Sequence, residues 1–376
     1  MTLGIYVHLP FCRVHCTYCA FAISTDLRRE TAYVDALLRE IEAAAAEPAP
    51  PPGGSGTARA LADSLYFGGG TPSRTFPGNL ARITAAIRRT FEVPPDAEFS
   101  MEANPEDVTA ESLAAWRDLG VNRLSIGVQS FADQELLPLG RIHGSRRAYE
   151  AVSLAVASGL RTNLDLILGL PNQTAESFVD TLDAALALGP GHVSLYMLDL
   201  EERSPLAVQL AHGRITLPEE GLVADLYIEA VSRLEGGGLH QYEISNFARP
   251  GEECRHNLRY WTRGRYRGFG LGAHSFLGDR RFANTRDIRR YIESSPEATE
   301  MSESLGPEEA RREVLFLRLR QAGGIDYEEV VRLCGQEGIE WMDRGLRDGW
   351  LRRAGGNVAF SPSGFLLSNE YISQLF

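Results

Sequence analysis

From the N-terminus to about residue 200, short runs of apolar and β-branched residues alternate with stretches whose apolar positions return every three or four residues. The runs at 4–8, 64–67, 98–102, 123–127, 161–167 and 192–196 read as strands. The stretches at 29–46, 80–91, 110–119, 146–158 and 175–188 read as helices between them. Strict alternation predicts a parallel sheet, because parallel neighbours need a crossover of about a dozen residues or more. Six such units suit either a doubly wound sheet or an incomplete (β/α) barrel, and periodicity does not separate the two. The run of proline and glycine at 47–56 continues neither flanking element and reads as a surface loop.

A further helix is expected over 218–234. Beyond residue 300 the texture changes: helical patterns at 307–320, 327–334 and 339–348 precede two short segments, 350–353 and 357–360. These flank Ala354, Gly355 and Gly356, a hairpin signal. Three helices followed by a small hairpin resemble a winged-helix module. Its candidate recognition segment, 335–348, carries Glu337, Glu340, Asp343 and Asp348 against Arg344 and Arg347. That balance repels phosphates, so a packing or substrate-covering role is expected and no nucleic-acid partner.

The 376 residues allow two to three domains. The charge sum, 38 basic minus 50 acidic, is −12, which also weighs against nucleic acid. No lysine occurs, so all 38 basic residues are arginine. This excludes a Walker phosphate loop, a pyridoxal Schiff base and a lysine nucleophile. No segment has the roughly 18 uninterrupted apolar residues of a membrane span, and the first residues lack the pattern of a secretory signal. Of five cysteines, three crowd into eight residues, unlike a secreted disulfide framework. A reducing compartment, the cytosol, is expected.

Those three are Cys12, Cys16 and Cys19, with three and two residues between them. Three thiolates at this spacing can wrap one soft metal centre. On a four-iron cubane they leave one iron without a protein ligand, open to a small molecule. Zinc would want a fourth ligand, which His8 or His15 could supply. On a helix the three would share one face, but Pro10 precedes them and a strand leads directly into the run.

The spacing C-x3-C-x2-C, with Tyr18 immediately before the last cysteine, resembles the radical S-adenosylmethionine (SAM) superfamily. Within it, the run from Tyr6 through His8 and Pro10 to Cys12, and Cys19-Ala20-Phe21, are similar to the family of oxygen-independent coproporphyrinogen III oxidase and its HemW relatives. The resemblance implies a partial (β/α)6 TIM-like barrel of the radical SAM type, carrying a [4Fe-4S] cluster on Cys12, Cys16 and Cys19. It implies a core over 1–235, an extension over 236–300 and a mostly helical winged-helix-like module over 301–376. The glycine run after the second strand would meet the methionyl amino group of SAM through Gly69, Gly70 and Thr71. Tyr6, Glu102, Gln129, Arg141 and Asp165 occupy positions resembling the other SAM-binding ones. The chemistry so implied is one-electron reductive cleavage of SAM to methionine and a 5′-deoxyadenosyl radical.

Two departures separate the branches. The oxidase pattern places a fourth cysteine where this chain has Phe21, and Cys12 lies too near the start for the oxidase's extra N-terminal segment. Both resemble the HemW branch, as does the run from His256 and Asn257 to Tyr260 and Trp261, which matches its H-N-x-x-Y-W haem motif. The resemblance implies haem as a third cofactor, with His256 on its iron. Cys254 is a weaker alternative ligand, and Arg263, Arg265 and Arg267 are candidates for the propionates. The expected function is a haem chaperone serving acceptor haemoproteins, respiratory membrane-bound ones among them, with an electron donor as a further partner. Oxidative decarboxylation of coproporphyrinogen III is the competing enzyme reading, and a zinc module the structural one.

Overall fold

A computed structural model describes residues 2–46, 59–202 and 204–375; the proline and glycine run expected as a loop lies outside them. The six expected strands are β1 (Leu3–Leu9), β2 (Ala62–Gly69), β3 (Glu98–Ala103), β4 (Arg123–Gln129), β5 (Arg161–Leu168) and β6 (His192–Met197). They pair in sequence order, every pair parallel. Helices Glu30–Ala43, Pro77–Thr90, Ala110–Leu119, Ser145–Ala157 and Ala175–Leu188 make the crossovers. Thr109 with Ser112, and Thr174 with Ser177, form reciprocal capping boxes that start two of them. A doubly wound sheet reverses strand order partway, whereas sequential order belongs to a barrel. β1 and β6 do not pair with each other, so the wall stays open. This is a partial (β/α)6 barrel.

Both free edges are extended by strands absent from the sequence reading: β7 (His240–Glu243), β8 (Asn246–Ala248), β9 (Tyr266–Phe269), β10 (His274–Leu277), β11 (Arg280–Asn284) and β12 (Thr299–Ser304). The order is β12-β11-β10-β9-β1 on one flank and β6-β8-β7 on the other. Only β9 runs parallel to its barrel neighbour. These strands are short, three to six residues each, and β12 is exposed along its whole length, so no apolar alternation announces them. Helix Arg255–Trp261, between β8 and β9, packs against β2.

After β12 comes helix Pro307–Arg318, then a separate antiparallel sheet of β13 (Ile325–Asp326), β14 (Leu351–Ala354) and β15 (Asn357–Phe360), ordered β13-β15-β14. The expected hairpin forms. The two expected helices form within Tyr327–Arg347 and are separated at Gly335, whose φ of +60° and ψ of −139° no helix contains. Trp341 anchors this winged-helix-like module: its indole N–H donates to the Tyr371 carbonyl at 2.8 Å, and the Tyr371 hydroxyl returns to the Trp341 carbonyl at 2.7 Å. The module docks on the barrel flank, where the Ala322 N–H donates to the Tyr242 carbonyl at 3.0 Å. Among the described residues no helix is long and apolar enough to cross a membrane.

Candidate functional site

Strands buried on both faces usually read as continuous apolar runs. Here every second position is polar or glycine: Ser64, Tyr66 and Gly68; Ser100 and Glu102; Ser125 and Gly127; Asn163 and Asp165; Ser194 and Tyr196. The intervening Leu65, Phe67, Met101, Leu124, Ile126, Leu164 and Val193 pack into the core. The polar set meets inside the barrel. Ser125 donates to both Asp165 oxygens at 3.0 and 3.1 Å, and Asn163 Nδ2 reaches Asp165 at 2.8 Å. Towards the strand C-termini the barrel opens into a cavity of about 390 Å³, lined by Tyr66, Glu102, Gly127, Gln129, Asp165 and Tyr196 on the strand side.

The cysteine loop forms the other wall. Residues 12–22 are turns and bends, so the one-helix-face alternative does not hold. The loop closes on itself through the Ser24 N–H to the Pro10 carbonyl at 2.8 Å and the Cys12 N–H to the Ser24 carbonyl at 3.0 Å. Its crest is tied from outside. Thr17 Oγ1 donates to the Pro138 carbonyl at 2.8 Å, Arg286 donates to the Ala20 carbonyl at 2.7 Å, and Arg13 pairs with Asp107 at 2.8 Å. Cys12, Cys16 and Cys19 all line the cavity, opposite Gly69 and Gly70.

Thr71 Oγ1 donates to Cys12 Sγ at 3.3 Å, and Arg141 lies 3.6 Å from Cys16 Sγ. Burial pushes the Cys12 thiol up to about 11 and raises Cys19 as well. Ligation of a metal centre would have these thiols give up their protons. Among the described residues no three His, Cys, Asp or Glu side chains converge on a single-ion site. A closed zinc site needs that convergence, whereas a cubane takes one sulfur at each of three corners. Three soft donors facing one cavity, each on a braced loop, fit a cluster.

The glycine run is required by space. A Cβ on Gly70 would lie 2.5 Å from the Pro10 carbonyl carbon, and one on Gly68 2.9 Å from Glu102 Oε1. Gly69 has φ of +111° and would drive a Cβ to 2.5 Å from the His8 ring. The Gly69 N–H donates to Glu102 Oε2 at 3.0 Å, and the Tyr66 hydroxyl to Glu102 Oε1 at 3.1 Å. Burial, with the nearby charge of Asp165, lifts Glu102 to about 7; burial lifts Asp165 to about 6. Two buried carboxylates at the edge of one cavity attract a cationic ligand. Gln129 reaches it from a bulge: the β4–β5 register slips between Gly127 and Gln129, whose φ is +68°. Arg141 spans the mouth, donating to Asn104 Oδ1 and the Gly127 carbonyl, both at 2.8 Å.

Not every expected residue arrives there. Tyr6 stands behind the lining, stacked on Tyr66 at 6.1 Å with its hydroxyl 3.1 Å from His8 Nδ1. His256 lies fully buried beneath Tyr66 rather than at an open coordination position. Its Nδ1 is 3.0 Å from Ser64 Oγ and its Nε2 2.9 Å from the Tyr260 hydroxyl, so both ring nitrogens are engaged. Burial then pushes the imidazole down to about 3. Cys254 is buried against Glu98, its Sγ 3.4 Å from Oε1. Of the three arginines, Arg263 pairs with Glu313 at 2.6 Å, Arg267 is buried with Nη1 on Ser275 at 3.1 Å, and Arg265 is half-buried.

Tyr66, Asn104, Tyr196 and Met197, all lining the cavity, were missed from the sequence. The period-two placement of polar side chains in otherwise apolar strands is the signal that finds Tyr66 and Tyr196.

Comparison with known proteins agrees with this geometry. The family model described as the radical SAM superfamily matches residues 6–185. The heme chaperone HemW of Mycobacterium tuberculosis is 36% identical over 380 residues, covering 99% of this chain and 94% of that protein. HemW of Bacillus subtilis is 33% identical, covering 97% of each. Among solved structures, coproporphyrinogen III oxidase (HemN) from Escherichia coli, a radical SAM enzyme, superposes with a TM-score of 0.84 at 25% identity, covering 100% of this chain and 90% of that one. Cysteine loop, glycine cradle, open barrel and full-length similarity agree: the chain belongs to the HemW family of the radical SAM superfamily.

Proposed function

We propose that this chain is a haem chaperone, binding haem and delivering it to acceptor haemoproteins while carrying a [4Fe-4S] cluster and SAM. Cys12, Cys16 and Cys19 would hold the cluster; Gly69, Gly70, Thr71, Glu102, Gln129, Arg141 and Asp165 would hold SAM. When bound, cluster and SAM together supply one-electron reductive cleavage of a sulfonium bond. The chain's own part is to hold the cation beside Glu102 and Asp165, to cap the cavity with Arg141, and to keep water out. Division into a core over 1–235, an extension over 236–300 and a module over 301–376 belongs to the same reading.

The observation that carries it is Phe21. At the place where the oxidase pattern has a fourth cysteine stands an aromatic ring that is 68% exposed and lines the cavity mouth. Val14, Ile142 and Met197 share that rim and are also exposed. These four apolar side chains suit the face of a flat macrocycle, and Phe21 takes the place of the extra sulfur of the oxidase pattern. Ligation of haem iron by His256 enters as a second state, reached only when the Ser64 and Tyr260 hydrogen bonds break. An electron donor, a cytosolic location and respiratory, membrane-bound acceptors complete the proposal.

The oxidase reading draws on the HemN superposition, but the chaperone relatives stand nearer, at 36% against 25% identity. The test is transfer: protein reconstituted anaerobically and loaded with haemin is mixed with an apo-haemoprotein. The expected result is the acceptor's Soret band growing as the donor's falls; no transfer above that of free haemin overturns the proposal.

A further inference from the structure

Glu102 owes its position to Tyr66, and Tyr66 in turn rests on His256. The Tyr66 ring stacks against His256 with centroids 5.3 Å apart and planes 30° from parallel, while its hydroxyl donates to Glu102 at 3.1 Å. His256 is fixed on every side. Ser64 meets Nδ1, the Tyr260 hydroxyl meets Nε2, and the His256 backbone N–H donates to Glu98 Oε1 at 2.9 Å. Ser64 and Tyr66 are the i and i+2 residues of one face of β2, so His256 braces two consecutive inward positions of the strand that ends in the glycine run. A buried imidazole with both nitrogens paired and one face against a ring is held in a single rotamer.

We propose that His256 is a positioning residue for the cavity: acting through Tyr66, it sets the Glu102 carboxylate that receives SAM. The inference rests on the reading that this cavity takes SAM, and it gives the histidine of the H-N-x-x-Y-W run a role that needs no haem. His256 does not itself line the cavity, whereas Tyr66 and Glu102 do.

The experiment measures SAM dissociation constants by equilibrium dialysis on cluster-loaded full-length protein: wild type, His256→Ala, His256→Gln, Tyr66→Phe and the double variant His256→Ala/Tyr66→Phe. Losing a hydrogen bond to a charged group weakens binding about tenfold, so Tyr66→Phe and His256→Ala each show that loss. Because one acts through the other, the double variant binds no more weakly than Tyr66→Phe alone. His256→Gln, whose amide can still meet Ser64 and Tyr260, recovers part of the affinity and covers the case in which the alanine variant fails to fold. Unchanged SAM affinity in both His256 variants, or losses that multiply in the double variant, overturns the inference while leaving the SAM reading standing. Wild type that carries a cluster and binds no SAM overturns both.

Discussion

The carboxylate of Glu102 accepts the backbone N–H of Gly69 at 3.0 Å, so β3 fixes the conformation in which β2 ends. The glycine run is held from one side by that bond and from the other by Pro10 and His8. Glycine is therefore needed there for space as well as for flexibility, and the same contacts that shape the loop place the carboxylate.

Replacing Gly70 with alanine pushes a methyl into the Pro10 carbonyl. Backbone rather than a flexible side chain must yield, so Gly70→Ala is expected to cost about 1–3 kcal/mol of stability. Urea unfolding of the apo chain checks this. A loss below about 0.5 kcal/mol, the size of an ordinary surface change, contradicts the packing described.

Acid should weaken SAM binding. Glu102 titrates near 7, raised by burial and by Asp165, and faces Tyr66 and the Gly69 N–H as well. Asp165, raised to about 6 by burial, faces Ser125, Asn163 and Ser194, with the Arg141 charge nearby. Both must be ionised to hold a cation, so affinity falls as pH drops from about 7 through 6. Stability of the apo chain runs the other way. A carboxyl raised in the folded state contributes stability that is complete below its unfolded value of 4.5 and is lost as pH rises towards 7. Melting temperatures with and without SAM across this range should diverge as pH rises, and Glu102→Gln should flatten the divergence.

At the opposite end of the barrel, Arg123 Nε donates to Glu98 Oε2 at 3.1 Å, with both side chains almost completely buried. Glu98 also accepts the backbone N–H groups of Arg255 and His256, at 3.1 and 2.9 Å. Removing only the cation strands the carboxylate and loosens the helix that carries His256. Arg123→Met is expected to cost about 3–5 kcal/mol. Denaturant unfolding measures it; a loss near zero would contradict the role given to this buried ion pair.

Cys16→Ser should abolish the broad visible absorption of the reconstituted protein while leaving haemin binding and the far-ultraviolet spectrum unchanged. Thr17, Arg13 and Arg286 tie the loop independently of the contact that the Cys16 sulfur makes with Arg141 at 3.6 Å. Loss of secondary structure in this variant would mean that the cysteine is structural.

The alternation of strands and helices was legible because each of the first six strands alternates with a long amphipathic helix. Barrel and doubly wound sheet were not separable until strand order was known, since order is a property of pairing and leaves no local mark. β7 to β12 escaped because strands of three to six residues flanking the barrel are stabilised by their neighbours and not by their own composition. At the site, Cys12, Cys16, Cys19, Gly69, Gly70, Glu102, Gln129, Arg141 and Asp165 converge on one cavity. His256 was legible as part of a motif, but its surroundings were not. The hydroxyl that occupies its Nδ1 belongs to Ser64, 192 positions away, and only the fold brings the two together.

Under the proposed function, the chain carries haem beside a radical SAM cluster and leaves coproporphyrinogen III unreacted. The direct measurement is an anaerobic incubation of the reconstituted chain with SAM, reductant and coproporphyrinogen III, alongside a haemin titration of the same preparation. Saturable haemin binding with no porphyrinogen decarboxylated is the predicted result. Protoporphyrinogen formed in step with SAM consumption would contradict it.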